Sequence, residues 1–376
     1  MSVTYAQNRP ERVAGAMTLP ARYYTDPALF ERELQRIHYR SWLFAGRVDE
    51  LPEAGSFVVR RFGRAEILIV RGEDGRVRAF HNNCRHRGTL LCAEDSGHLQ
   101  GSIQCRYHAW TYGLDGRLKA APHMDQVKDF READYPLGSV QLAEWDGNYF
   151  MNLADAPSPF AEHLAGLDQR FRPYRMAELR RGARRVYTAD ANWKLVVQNY
   201  SECLHCPIAH PQLARLSHYL SGDNEAPQPS YLGGRMELKD GIASMTMDGQ
   251  TNRACFVDLD EVDRRSVHYY ALLPNLLLNL HPDYVMTYAL WPLAVDRTQI
   301  VCDWHFLPSE MAKADFDASG AVEFWDVTNR QDWQLSDLAQ KGIGSLGYRQ
   351  GPFSYREDLL PGLDRWLLEK LRDVSA

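Results

Sequence analysis

No run of eighteen apolar residues occurs in the 376-residue chain, so the sequence offers no membrane span. Basic residues are not in excess. There are 43 Lys and Arg against 49 Asp and Glu, a net charge of −6, which removes the electrostatic footprint of a nucleic-acid binder. Internal repeats and low-complexity tracts are also lacking. The opening stretch Met1–Pro20 has no apolar core of a secretory signal. Its Arg9 and Arg12, with few acids nearby, leave a short transit peptide open, and a loosely ordered terminus is the expectation. Cysteines number seven, an odd count in a long chain that is 45% apolar. That combination argues against a secreted disulfide scaffold and for a reducing, cytoplasmic setting. What the chain does have is enough apolar material for a sizeable core, in one large domain or two ordinary ones. Four of its cysteines lie beside histidines, which turns the question from disulfides to metals.

The organisation is α+β. A first helix is capped by Asp26 and started by Pro27, with Phe30, Leu34 and Ile37 at helical spacing. Short strands are expected at 55–62, 65–70 and 76–80, with Glu73-Asp74-Gly75 as a tight turn, then a hairpin over 110–118 and a closing strand at 147–153. The stretch Ala154-Asp155-Ala156-Pro157-Ser158-Pro159 reads as a junction. Beyond it come an extended piece at 186–189, a helix over 192–200, and strands at 234–239, 266–273, 284–291 and 299–306. Helices at 321–341 and 359–372 close the chain. The expected division is an N-terminal helical segment, 1–41, packing on the catalytic domain, a β-rich domain, 42–155, and a mixed domain, 156–376.

Two pairs of metal-binding side chains stand in the β-rich part. Cys84-Arg85-His86 and Cys105-Arg106-Tyr107-His108 are separated by 18 residues. Two thiolates and two imidazoles suit either zinc or a Rieske 2Fe–2S cluster. Zinc knuckles usually pair Cys with Cys and His with His, whereas each loop here carries one of each. Each loop can then supply one ligand to each of two irons, and neutral imidazoles on one iron raise the potential. Cys92 matches no ligand position and reads as a small buried residue; His81 and His98 read as loop or core histidines.

A second constellation lies in Asn192-Trp193-Lys194 through His210-Pro211. His205 and His210 are five apart, one beyond helical neighbour spacing, with Pro207 expected to break the helix between them. Two histidines and a carboxylate form the facial triad of non-haem Fe(II) oxygenases, with positions open for O2 and substrate. On the C-terminal helix, Asp332 shares a largely apolar face with Trp325, Thr328, Leu335 and Ala339. Asp326 groups with Arg330, and Asp337 with Gln334 and Lys341, as solvated surface. An inward carboxylate needs compensation that a metal supplies, so Asp332 is the chosen third ligand. Cys203 and Cys206 also form a C-x-x-C; interleaved with His205 at the end of a helix, it is given little weight as a redox dithiol.

Taken together, Cys84-Arg85-His86-Arg87-Gly88, Cys105-Arg106-Tyr107-His108-Ala109-Trp110, Asn192-Trp193-Lys194, Glu202 with His205 and His210-Pro211, and Asp332 with Gln340-Lys341-Gly342 resemble the α subunit of Rieske non-haem iron oxygenases. The resemblance spans nearly the whole chain. It implies a Rieske domain joined to a helix-grip catalytic domain, an antiparallel sheet with helices. It implies a homotrimer fed by a ferredoxin or an NAD(P)H-dependent reductase. It also implies that Glu202 bridges His205 to the partner subunit's His108 for electron transfer. Glu202 stands where aromatic-ring dioxygenases usually have Asp, and so resembles the branch acting on carnitine, choline and betaines. The opening Thr18-Leu19-Pro20-Ala21-Arg22-Tyr23-Tyr24-Thr25 resembles that branch too. Gln198 stands where the branch often has Glu.

The expected function is therefore the terminal oxygenase component of such a system, a mono- or dioxygenase. It would use O2 and reductase electrons to hydroxylate or N-demethylate a small, quaternary ammonium substrate. The alternatives are hydroxylation of an aromatic ring and, from another class, a Rieske electron-transfer protein with an inactive second site. The intact set His205, His210 and Asp332 argues against the last. Nine Trp and 19 Tyr would furnish an aromatic cage for a cation, though abundance alone does not locate one.

Overall fold

Alternating strand patterns and tight glycine turns in the first half build an antiparallel sheet, in a computed structural model that describes residues 9–372. Two compact units result: Tyr39–Pro157, and the flanking residues up to His38 and from Ser158 onward. In the first unit the strands are β1 Leu43–Arg47, β2 Ser56–Phe62, β3 Ala65–Arg71, β4 Val77–His81 and β5 Ser96–His98. They are followed by β6 Ser102–Gln104, β7 Thr111–Gly113, β8 Leu118–Ala120, β9 Ser139–Trp145 and β10 Asn148–Asn152. The order β1-β10-β9-β4-β3-β2-β5 makes a seven-stranded sheet, and β6-β7-β8 a three-stranded one. Phe57, Val59, Leu68, Val70 and Phe80 from the large sheet pack with Ile103, Trp110 and Tyr112. That shared core reaches Cys84 and Cys105, so the metal loops are seated on hydrophobic packing.

The second unit carries β11 Arg180–Ala189, β12 Asp223–Asn224, β13 Tyr231–Glu237, β14 Ser266–Leu272, β15 Leu276–Leu280, β16 Val285–Ala294 and β17 Arg297–Phe306. They form one antiparallel sheet in the order β11-β17-β16-β15-β14-β13-β12. The 25-residue helix Ser319–Ile343 and the helix Trp193–Tyr200 share the core of this sheet: Trp193, Val196 and Val197 pack in one cluster with Tyr288, Ile300, Phe324 and Trp333. This is the antiparallel sheet with packed helices that the sequence implies.

Three expectations need correction. The strands β1, β5, β6, β9, β12 and β15 were absent from the sequence reading; of these β15, Leu276-Leu277-Leu278-Asn279-Leu280, is buried on both faces and shows no alternation. The strand expected at 186–189 begins at Arg180. Its arginine-rich first half disguises it, as suits an edge strand protected by charge. The loosely ordered terminus is not what residues 10–20 show. Arg12 bonds the Asp358 carboxylate at 2.8 Å and the Glu225 carbonyl at 2.7 Å, and Met17 bridges to Pro352. The expectation for residues 1–8 lies outside the described residues. Asp26 caps the first helix as read, accepting from the Ala28 N–H. Among the described residues no helix is long and apolar enough to cross a membrane.

One buried polar knot sits beneath the helix Trp193–Tyr200. Glu33 and Lys194 are 0% and 1% exposed, and the Lys194 ammonium donates to both Glu33 oxygens at 2.7 Å. Trp193 Nε1 donates to the same carboxylate at 2.9 Å. Asn192 caps the helix through the Lys194 N–H and gives its amide to the Val295 carbonyl. Gln340 of the long helix accepts from the Asn192 N–H. Removing one member strands the other charge without water. Glu33→Ala is therefore expected to destabilise this unit by about 3–5 kcal/mol, and the apolar pair Glu33→Met with Lys194→Met to recover most of it. Thermal unfolding of the iron-loaded protein checks both, and a Glu33→Ala transition unmoved from wild type would show that the knot carries no such weight.

Candidate metal centres

Cys84 and Cys105 open two loops of one design. In each, the cysteine N–H donates to a carbonyl five residues on, Thr89 and Trp110, and its own carbonyl accepts from the N–H four residues on, Gly88 and Ala109. That fourth residue has positive φ in both loops, +75° at Gly88 and +57° at Ala109. The turn reverses the chain tightly enough to aim Cys and His from one loop toward those of the other. Both cysteines are 3% exposed, whereas His86 is exposed and His108 half-buried. The two imidazole centroids lie 4.7 Å apart, and His86 stacks on Trp110 at 4.9 Å. The thiols thus face the core and the imidazoles face outward. Tyr112, not singled out in the sequence, sits 3.3 Å by its hydroxyl from Cys84 Sγ and accepts from the Arg85 N–H at 3.0 Å. Its phenol is free to donate to a thiolate. Cys92 is buried and held by Asn82, and burial pushes its thiol up to about 11, as suits an inert core cysteine.

The second centre grows from the end of the helix Trp193–Tyr200. Here the sequence reading is corrected: Pro207 does not break that helix. The helix already stops at Tyr200, and Pro207 sits in the first turn of a new short helix, Cys206–Ala209, where a missing N–H costs nothing. The turn between them carries Glu202, whose carboxylate accepts from the Leu204 N–H and meets His205 Nδ1. His210 ends the short helix, and its Nδ1–H donates to Gln331 Oε1 at 2.7 Å. Occupying both Nδ1 atoms in this way leaves the Nε2 atoms for a metal.

Those Nε2 atoms converge with Asp332 Oδ1. His205 and His210 are 3.1 Å apart there, His210 and Asp332 2.8 Å, His205 and Asp332 3.3 Å. Three ligands on one face of an octahedral ion, each at about 2.1 Å, stand roughly 3 Å from one another, so the donor set fits one first-row ion. Electrostatics agrees. Burial works against a charged His205, yet its bonds to Asp332 and Glu202 prevail and raise it to about 10. Burial likewise works against the Asp332 carboxylate, but the two histidines hold it below the usual range. The site favours positive charge at its centre.

The other aspartates of the long helix point elsewhere. Asp326 bonds Arg330 at 2.8 Å and the Tyr187 hydroxyl at 2.7 Å. Asp337 is half-buried, and burial raises its carboxyl, so the solvated position expected for it is not observed. The buried face runs through Trp325, Thr328, Asn329, Trp333, Ser336 and Gln340, and Ala339 is exposed. Among the described residues Gln198 forms no hydrogen bond with Glu202; its amide donates to Asp364, a carboxyl that burial lifts to about 7. The thiols of Cys203 and Cys206 are joined as a disulfide, where the sequence reading gave the pair little weight. The turn brings their Cα atoms to 5.0 Å, inside the normal bridging range. Cys206 Sγ lies 3.9 Å from His205 Nε2.

The triad opens onto a cleft whose walls include Tyr200, Tyr269, Tyr288, Trp325 and Trp333. Sequence reasoning could not choose these from 28 Tyr and Trp. Only the pairing of β13 to β16 with the long helix gathers them. Gln331 had a signal that went unused, its position next to Asp332.

The family model for the catalytic domain of the ring hydroxylating alpha subunit matches residues 176–373, and that for the Rieske [2Fe-2S] domain matches residues 41–131. The chain is 33% identical to the glycine betaine monooxygenase oxygenase subunit of Pseudomonas aeruginosa, over 95% of this chain and 89% of that one. It is 30% identical to the carnitine monooxygenase oxygenase subunit of Escherichia coli, over 89% and 86%. A solved quaternary ammonium Rieske monooxygenase in complex with L-carnitine superposes with a TM-score of 0.80 at 25% identity, over 98% of this chain and all of that one.

Proposed function

This chain belongs to the ring hydroxylating alpha subunit family and carries its Rieske domain, and from that premise we propose that it is the terminal oxygenase of a Rieske monooxygenase acting on a small quaternary ammonium compound. The observation that carries the reading is the meeting of a two-histidine, one-carboxylate face with an aromatic-walled cleft. A quaternary ammonium cannot donate a hydrogen bond, and aromatic faces are what bind it.

In this reading Cys84, His86, Cys105 and His108 hold the 2Fe–2S cluster, and His205, His210 and Asp332 hold the mononuclear iron. The cluster supplies electrons one at a time, and the iron supplies activation of O2. The chain's own work is orientation. Glu202 and Gln331 fix the tautomers of His205 and His210. Burial of Trp325, Trp333 and Tyr288 keeps water from the cleft floor. Glu202 is also the carboxylate through which electrons would pass from a neighbouring copy, in a homotrimer fed by a separate NAD(P)H-dependent reductase. Cys92, Cys255 and Cys302, which join no disulfide and hold no metal in this reading, support a cytoplasmic setting.

Three outcomes are expected. Chemically reduced, iron-loaded protein exposed to O2 with betaines, carnitine and choline yields formaldehyde or another aldehyde. A phenol or cis-diol formed only from aromatic acids would replace the substrate class, and no product from either pool would leave an electron carrier. Asp332→Ala loses the mononuclear iron and keeps the cluster, by metal analysis and cluster absorbance; equal loss of both, or of neither, removes Asp332 from the ligand set. Tyr112→Phe lowers the cluster potential by roughly 50 mV, the one-electron equivalent of a hydrogen bond worth about 1 kcal/mol. Redox titration followed by electron paramagnetic resonance reads the shift.

A further inference from the structure

Three arginines line the iron cleft: Arg9, Arg235 and Arg356. Their surroundings differ. Arg9 is exposed. Arg235 leans on Asp223 at 3.5 Å and Glu237 at 3.8 Å, and donates to the Ser266 hydroxyl at 3.3 Å. Arg356 is half-buried and holds very little. It donates to the Leu220 carbonyl at 3.4 Å and lies 5.5 Å over its neighbour Tyr355, with no ion pair among the described residues. The adjacent carboxylates are engaged elsewhere. Glu357 accepts from the Ser354 N–H at 2.7 Å. Asp358 takes Arg12 at 2.8 Å and the Asn224 amide at 2.7 Å.

A guanidinium keeps its charge at every physiological pH and presents five donors in a planar fork shaped for a carboxylate. Half-buried in a cleft and without an ion pair among the described residues, it has donors left for an anion. The same cleft carries aromatic faces suited to a quaternary ammonium. A ligand that satisfies both has a fixed positive charge at one end and a carboxylate at the other.

We propose that Arg356 receives the carboxylate of a zwitterionic quaternary ammonium substrate and so selects betaine-type acids over uncarboxylated amines of the same size. The assignment rests on the substrate class read above and narrows it. Arg356 belongs to the segment between the long helix and the C-terminal helix Leu360–Leu371 and is not one of the triad's donors, so in this proposal it meets the end of the substrate that does not react. It acts on binding and not on the bond being broken.

The test compares Arg356→Gln and Arg356→Lys with wild type, as iron-loaded holoenzyme, on glycine betaine, L-carnitine and choline. Arg356→Gln is expected to lower the ratio of kcat/KM for either carboxylate to that for choline by about tenfold or more, with the loss falling on KM. Arg356→Lys, which keeps the charge and loses the fork, should restore part of the ratio. Anaerobic calorimetric titration should show the same split in Kd, independent of turnover. An unchanged ratio, or an equal loss for all three compounds, overturns the assignment while the substrate class stands. A wild type that turns over none of the three and oxidises a neutral aromatic instead overturns the substrate class, and this assignment with it.

Discussion

A carboxylate and an ammonium shut away from water, Glu33 and Lys194, fix the helix from which the catalytic centre hangs. The pair is held because each partner would be costly alone. It clamps the first turn of Trp193–Tyr200, Asn192 caps that turn, and Gln340 ties it to the long helix Ser319–Ile343. The histidines follow the far end of the first helix, and Asp332 lies within the second. A single hydrogen-bonded knot therefore sets the relative position of the two elements that bring the triad together. The motif Asn192-Trp193-Lys194 contributes no atom to that triad and instead holds the helices that carry it.

The two metal centres solve opposite problems. In the β-rich unit the loops repeat one backbone scheme, so that paired cysteines and paired histidines meet with near symmetry, thiols inward and imidazoles outward. In the other unit the donors come from unlike elements, a turn, a short helix and a long helix, and converge on one point at the floor of a cleft. The first arrangement suits a group that exchanges electrons at its exposed edge. The second suits an ion that must share its surroundings with a substrate.

Much of this was legible before any coordinates. Metal ligands must be particular residue types at particular spacings, so the candidates Cys84, His86, Cys105, His108, His205 and His210 stand out from the chain, and Asp332 stands out as a charge on an inward face. Strands bounded by clear turns, such as β2, β3 and β4, were readable for a similar reason, whereas β9 and the short β5 and β6 were not. What stayed hidden depends on tertiary assembly. β15 is apolar on both faces and carries no period; Pro207 looks alike whether it ends a helix or starts one; Asp337 is half-buried because of what packs over it. The aromatic wall draws Tyr200, Tyr269, Tyr288, Trp325 and Trp333 from β14, β16 and two helices, and no local pattern links them. Tyr112 and Gln331 act through neighbours in space, which spacing does not record.

The bridge between Cys203 and Cys206 encloses Leu204 and His205 in a small covalent ring, with Glu202 just outside it. The backbone that carries the candidate ligand His205 is thus enclosed by a thiol–disulfide couple. A preparation handled in strong thiol reductant and one purified in air are chemically different proteins at this turn, although their sequence is the same and their masses differ by only two hydrogens. Thiol history becomes a variable of iron loading in its own right, to be fixed before specific activities of any two samples are compared.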